Sequence, residues 1–394
     1  MSADLPQLAE QSEPAPFLTT AAEAVPVSAG SDIRASTEAL RVLEVAPGRD
    51  SRWESFVRKH PDGSIYHHSL WLKVIEQAYA HKAIAFVCED AKGRLRGVLP
   101  LCQTNGFLTG KRLVSLPHTP LAGPLAYGRE STTALLGAAI DRVKQRGDTF
   151  LELKLSPESL QPEPPISTLF WDNTYVLVLP GSVEALRFGD SRNHGRLKWS
   201  IQKASKLAVR VRWAETKQDL RHWYELYLQT MRRHVVPPRP YRFFEIAWSL
   251  LHEPGMMRLL LAEKSEGHRD VLLSGSIFLS FGQTVFYAFN GRRQTEQSFR
   301  SNDLIQWTAI HYFCEQGFRR YDFGEVEAKN QGLAEFKLKW GAKPIRLHRS
   351  YYPEIRGLQL SGKSTLLRQV ANVGWRLLPL RATAFLGDCV YRYL

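Results

Sequence analysis

Leu272-Leu-Ser-Gly-Ser-Ile-Phe-Leu-Ser-Phe281, then Thr284-Val-Phe-Tyr-Ala-Phe-Asn290 after a two-residue break, reads as two strands of an antiparallel meander. Around them the pattern predicts a helix (Tyr241 to Leu251), a strand (Met257 to Glu263) and a turn near Gly267, then a helix (Leu304 to Glu315), Gly317 and a strand (Tyr321 to Phe323). The same order occurs once before. A helix (Leu70 to Tyr79) precedes strands at Ala83 to Glu89 and Leu95 to Cys102, parted by Lys92-Gly93, and more strand around Arg112 to Leu116. A helix (Thr132 to Gln145), Gly147 and the strand Phe150 to Leu155 follow. The offset is roughly 170 to 180 residues, and a repeat of whole element order implies two tandem α+β lobes, each a mixed sheet flanked by helices.

Residues 1–38, rich in Ala, Pro, Glu and Ser, bury too little surface to offset their ordering entropy and read as a disordered tail. Folded structure begins with a strand (Leu40 to Val45) and a helix (Asp50 to Lys59). Pro157 to Pro165 holds four prolines in nine residues and marks a seam before the strand Tyr175 to Leu179. The expected division is therefore a first lobe over 39–165, a second over 166–355 and a helical tail over 356–394. That tail mixes Leu, Val, Trp and Tyr with Arg368, Arg376, Arg381 and Arg392 and is broken by Pro379. Its two readings are packing on the second lobe, which is expected, and lying at a membrane interface.

Four widely separated cysteines and no basic-then-apolar leader point to a reducing, cytoplasmic setting, with no apolar run of membrane-spanning length. The net charge of +13 implies an anionic partner: nucleic acid, a phosphorylated substrate, CoA or a lipid surface. From Arg187 to Arg242, fourteen Lys and Arg stand against four acids.

Three motifs fail on context. Gly357 to Ser364 has Walker A spacing, yet only thirty residues follow, too few for the parallel sheet such a loop serves. Asp322-Phe323-Gly324 lacks every accompanying kinase signature. His67-His68 has no metal-ligand spacing, and no nucleophile-elbow motif is present, so neither a metal nor serine hydrolysis is expected.

Arg300-Ser-Asn-Asp-Leu-Ile-Gln-Trp-Thr-Ala-Ile-His-Tyr-Phe-Cys-Glu-Gln-Gly-Phe-Arg-Arg-Tyr-Asp-Phe-Gly324, closing on Gly332-Leu-Ala-Glu-Phe-Lys-Leu-Lys-Trp-Gly-Ala-Lys-Pro344, resembles the signature region of the Fem-like branch of the GNAT acyltransferases. That branch includes peptidoglycan aminoacyltransferases, CelD-like acetyltransferases and exosortase-associated proteins. Ser69-Leu70-Trp71, Ala78-Tyr79, Arg192 to Lys206 and Trp375 to Pro379 extend the resemblance over most of the chain after residue 40. It implies two GNAT-like lobes and an N-acyltransferase acting on a cell-envelope or exopolysaccharide precursor.

Asp322, Glu325 and Glu327 gather carboxylates at a strand end, where one could take the proton of an attacking amine. Leu333, Phe336 and Trp340 share one face of a short helix, so Lys337 and Lys339 are expected to project elsewhere. The resemblance gives Phe336 and Lys337 the acyl-transfer site, with Lys337 stabilising the oxyanion or positioning the donor. Arg300, Ser301 and Asn302 precede a helix, where free amides favour an anion, and with Asn290 they are assigned to the donor. Acyl-CoA is the expected donor, although the usual Gly-rich pyrophosphate loop is absent. Aminoacyl-tRNA is the second donor class, although Asn193 to Val209 is too short for the helical-hairpin arm of several Fem proteins. Arg192, Arg196 and Lys198, with Trp71 and Tyr79, are assigned to an anionic small-molecule or lipid-linked acceptor or a membrane surface; DNA is not expected. A non-catalytic scaffold for polysaccharide assembly is the remaining alternative.

Overall fold

The computed structural model describes residues 39–106, 110–147, 150–155, 166–267, 269–294, 297–353 and 374–393. The proposed tail at 1–38, the proline seam, the Walker-like stretch and the start of the C-terminal tail lie outside these. The first lobe carries β1 (Arg41–Val45), α1 (Ser51–Lys59), α2 (Ser69–Tyr79), β2 (Lys82–Glu89), β3 (Leu95–Gly106), β4 (Gly110–Val114), β5 (Leu125–Ala126), α3 (Arg129–Arg146) and β6 (Phe150–Leu155). After β7 (Ser167–Val178) come α4 (His194–Lys206), β8 (Val209–Trp213), α5 (Lys217–His234), α6 (Tyr241–Leu251), β9 (Met257–Glu266), β10 (Arg269–Phe281), β11 (Thr284–Arg292), α7 (Ser301–Glu315), β12 (Arg320–Val326), α8 (Gln331–Leu338) and β13 (Lys343–Tyr352). The helix α9 (Leu380–Tyr393) follows.

The two copies fold alike. In each, an antiparallel meander is followed by a helix and a strand that returns parallel to the meander's last member: β4 with β6 around α3, and β11 with β12 around α7. The copies are not separate sheets. One sheet runs β1-β2-β3-β4-β6-β13-β7-β12-β11-β10-β9-β8, with β5 beside β3. At its centre β13 inserts between β6 and β7, while β7 leaves β6 to pair with β12.

Alternation along the strands divides the apolar side chains between cores. Ile84, Phe86 and Cys88 turn toward α3, whereas Ala85 and Val87 turn toward a core shared with α1, α2, α5 and α6. In the second lobe Leu259, Leu261 and Ile277 join that shared core, and Leu260, Ala262 and Phe278 face α7. Helix α5 was hidden among the charges of the basic stretch; its Leu220, Trp223, Tyr224, Tyr227 and Leu228 lie at helical spacing and are buried. Helix α9 lays Leu380, Ala384 and Tyr391 on the shared core, contacting α5 and β3, so it touches both lobes rather than the second alone. No helix among the described residues is long and apolar enough to cross a membrane.

Candidate active site

Strands β11 and β12 pair only from Thr284–Phe286 to Arg320–Asp322; beyond that, β11 stays with β10 and β12 with β7. The two parallel strands therefore part, leaving a wedge with free backbone on both sides. The parting coincides with an extra residue in β12: Asp322 lies opposite Val176 but Glu325 opposite Thr174. Gly324, with φ +81°, takes the left-handed conformation this bulge requires. The sequence-based strand ended at Phe323; the strand in fact continues through the bulge to Val326.

Two side chains hold the bulge. Asp322 Oδ1 accepts from the Thr174 hydroxyl and from Gly324 N at 2.7 Å. Lys337 Nζ donates to Gly324 O at 2.7 Å and Glu325 O at 3.2 Å. Lys337 was expected on an exposed helical face, but it is only 3% exposed, whereas Leu333 and Leu338 face solvent. The reason is local. The bulge frees two carbonyls beneath α8, which an ammonium satisfies and an apolar side chain cannot, and the lysine stem supplies apolar cover.

Burial shapes the charges here. Desolvation lowers Lys337 to about 8, against the opposing pull of Asp322 and Glu325. Desolvation also raises Asp322, with the Thr174 and Gly324 hydrogen bonds and Lys337 opposing it. Glu325 keeps 38% of its side chain exposed. Desolvation raises it too, partly offset by Arg349 and Lys154. Arg349 Nη2 lies 3.6 Å from Glu325 Oε2, and its Nε lies 3.8 Å from Glu152 Oε1 on the first lobe. Nearby, Lys154 Nζ donates to Leu116 O and Thr119 O, and desolvation lowers it to about 7. Carboxylates and cations from both lobes thus meet beside the bulge.

The other wall of the wedge is a polar row. Asn290 Nδ2 donates to Ser276 Oγ at 3.1 Å and Asn302 Oδ1 at 3.0 Å, and Tyr287 shares Ser276 and Asn302. Ser274 Oγ donates to Ser301 Oγ at 2.8 Å. The residues assigned to the donor therefore come together, joining β10 and β11 to the start of α7. That helix start is not an open anion cradle. Asp303 is buried in its first turn and paired with Lys339 at 2.6 Å, so the chain's own carboxylate already meets the helix dipole. A donor phosphate would fall instead to Arg300, whose guanidinium stacks over the Trp199 ring at 5.5 Å, with Lys203 over the same ring at 5.1 Å.

Helix α4 packs on α7 and brings Trp199 and Lys203 to Arg300, while Arg192, Arg196 and Lys198 are exposed. Phe336 packs partly buried on the second-lobe core, under Lys339 Nζ at 4.4 Å. Trp71 and Tyr79 are 1% and 2% exposed. They form the covered face of α2, and Tyr79 OH accepts from Arg239 Nη1 at 2.7 Å, so neither presents a surface to an acceptor. Thr174, Tyr287, Ser276 and Arg349 were not anticipated. Gly324 carried a signal, since a glycine inside a strand marks a bulge.

Residues 191–338 match the family model of the acetyltransferase (GNAT) domain. The lipid II:glycine glycyltransferase of Staphylococcus aureus is 28% identical over 92 residues, a match spanning 22% of this chain and 22% of that protein. The structure resembles FemX at TM-score 0.60 with 16% identity, over 84% of this chain and 100% of that one. It also resembles the C-terminal domain of a putative lysylphosphatidylglycerol synthetase from Agrobacterium fabrum at TM-score 0.52 with 10% identity, over 77% and 91% of the two chains. At those identities the two likenesses concern the fold. A GNAT domain whose parallel strands part over a buried lysine, within a two-lobed sheet, defines a transferase of the GNAT class. Within that class the chain is similar, over those stretches, to members of the Fem-like branch.

Proposed function

We propose that the protein is an N-acyltransferase, moving an acyl group from an activated ester or thioester to an amino group on an anionic cell-envelope precursor. The observation that carries this reading is Lys337, buried against the bulge with two of its three hydrogens committed to carbonyls. The third can meet the negative charge that develops on the acyl oxygen, in a site of low dielectric where such a contact counts most. The amine nitrogen bonds to the acyl carbon, and the bond to the donor's sulfur or oxygen breaks. The amine proton passes to Glu325, a carboxylate beside the bulge that is both reachable and raised in pKa. Asp322, whose Oδ1 already accepts two hydrogen bonds, is a positioning residue that fixes the bulge.

The similarity to a glycyltransferase favours a second donor, an aminoacyl-tRNA, with the same acyl chemistry at an ester. The test supplies radiolabelled acetyl-CoA or glycyl-tRNA together with an extract of lipid- and nucleotide-linked precursors. Label should reach the acceptor from one donor and identify it, and Lys337→Ala should lower kcat about 100-fold or more. The rate should fall as pH rises through about 8, where Lys337 loses its proton, and fall on the acid side as Glu325 gains one. No transfer from either donor, or undiminished turnover by folded Lys337→Ala, would sink the reading.

A further inference from the structure

A second concave site lies away from the wedge. The last turn of α5, the loop after β11 and the start of the C-terminal helices enclose a cavity of about 470 Å³, lined by Gln229, Arg232, Arg233, Gln294, Arg376 and Leu380. Three arginines and two amides face it, with no acid among the described lining residues. Basic residues at a helix C-terminus ordinarily balance the helix dipole and need no ligand. Two observations go beyond that. Arg233 Nη2 is shut off from solvent yet has no hydrogen-bond partner among the described residues, an arrangement costly for a guanidinium. Arg232 Nη1 is meanwhile spent on Leu378 O at 3.1 Å, which fixes the wall carrying Arg376 and Leu380.

The surroundings deepen the positive field. Arg292 closes β11, where its backbone N donates to Thr230 Oγ1 on α5 at 2.9 Å. Desolvation and Arg292 lower Arg233, while desolvation with Arg233, Arg292 and Arg376 lowers His234. Like charges held together in a cavity are the signature of a site that expects an anion, and planar guanidinium forks match phosphate oxygens in pairs. The cavity is far roomier than one phosphate requires, leaving space for the groups it esterifies.

Its position relates it to the wedge. Strands β11 and β12 are parallel, so the end of β11 at Arg292 and the bulge at Gly324 lie toward the same end of the sheet. From Tyr287, at the parting of the strands, to Arg292 is five residues of strand, about 17 Å. Helices α5 and α7 belong to different cores, so this cavity and the donor-side polar row approach the wedge from opposite faces of the sheet.

We propose that Arg232, Arg233 and Arg376 bind the phosphate or diphosphate of the acceptor, holding it at one end while its amino group reaches the wedge. That the phosphate belongs to an acceptor rests on the acyl-transfer reading; that a phosphate binds here does not.

The test therefore reads binding, not turnover. Titration calorimetry with inorganic pyrophosphate should show binding to the full chain, weakened about tenfold or more in Arg233→Gln/Arg376→Gln. The same charge change at exposed sites on α1 and α2, Lys59→Gln/Lys73→Gln, should leave affinity unchanged, and Arg233→Lys should fall between because it keeps the charge but loses the fork. Phosphatidylcholine vesicles with and without phosphatidic acid separate the sources. Capture by the phosphatidic acid vesicles, lost in the arginine variant, assigns a lipid-linked phosphate. Pyrophosphate binding without capture assigns a soluble phosphate ester. Equal affinity in the folded arginine variant, equal loss in the exposed-lysine control, or no binding of either probe overturns the proposal. Lys337→Ala should bind pyrophosphate as the parent does, so failure of the acyl-transfer reading and failure of this one are told apart.

Discussion

At the residue scale, the site depends on one backbone conformation. A Cβ on Gly324 would meet only Tyr287 O at 3.8 Å and Lys337 Nζ at 3.9 Å, ordinary contact distances, so space does not forbid a side chain. The φ of +81° does. Gly324→Ala should therefore cost about 1–2 kcal/mol of stability by urea unfolding. It should also lower kcat by more than its effect on KM, because a relaxed bulge moves both carbonyls that hold Lys337. A variant as stable and as active as the parent would show the bulge to be incidental. The sequence marked Phe336-Lys337 and Asp322 through the resemblance, but periodicity sent Lys337 to the surface. Apolar spacing ranks side chains by hydrophobicity, and it cannot register two carbonyls released by a bulge thirteen residues away.

At the element scale, α8 is a short helix with a weak apolar face, and polar contacts place it. Lys337 fastens its underside to β12, and Lys339 fastens its end to Asp303 in α7. Both partners of the second contact are largely buried, so Lys339→Ala leaves a carboxylate with only the helix dipole for support. The expected loss is about 2 kcal/mol. Lys339→Ala/Asp303→Asn should recover part of it, since no charge is then stranded. A loss below about 0.5 kcal/mol by Lys339→Ala would mean that the pair is not a latch. Helices such as α2 and α6 were legible almost to the residue because their apolar faces are wide. Strand β13 was not legible. Lys343-Pro-Ile-Arg-Leu-His-Arg-Ser-Tyr-Tyr352 has a proline at its second position and carries four basic side chains, a pattern that argues against a central strand. It is central because Arg349 turns inward to Glu152 and Glu325, and because Pro344 sits at its first turn of pairing, opposite Tyr175.

At the scale of the whole molecule, the repeat is real in topology, but it does not mark two independent bodies. The order of elements was readable because each copy keeps its own periodicities. The exchange at the centre was not readable, since nothing in β7 or β13 names its partner. Links that cross between the copies include the β6–β13–β7 ladder, the packing of α2 on α6, Arg349 with Glu152, and Arg239. Arg239 is buried against Phe243, Phe289 and Tyr391 and donates to Tyr79 OH and His118 O. Burial pulls its pKa down, but the facing tyrosines outweigh that and keep it firmly charged. Trp53, Trp71, Trp223, Phe243 and Phe244 all belong to this shared core. A fragment of residues 39–165 would expose the α1–α2 side of that core and leave β6 with an unpaired edge, which invites aggregation. It should therefore be insoluble or lack a cooperative melt. The full chain should unfold in one transition, with calorimetric and van't Hoff enthalpies in agreement. A 39–165 fragment that melts cooperatively on its own, or two resolved transitions in the full chain, would show that the lobes are separable and that the first lobe does not need β13.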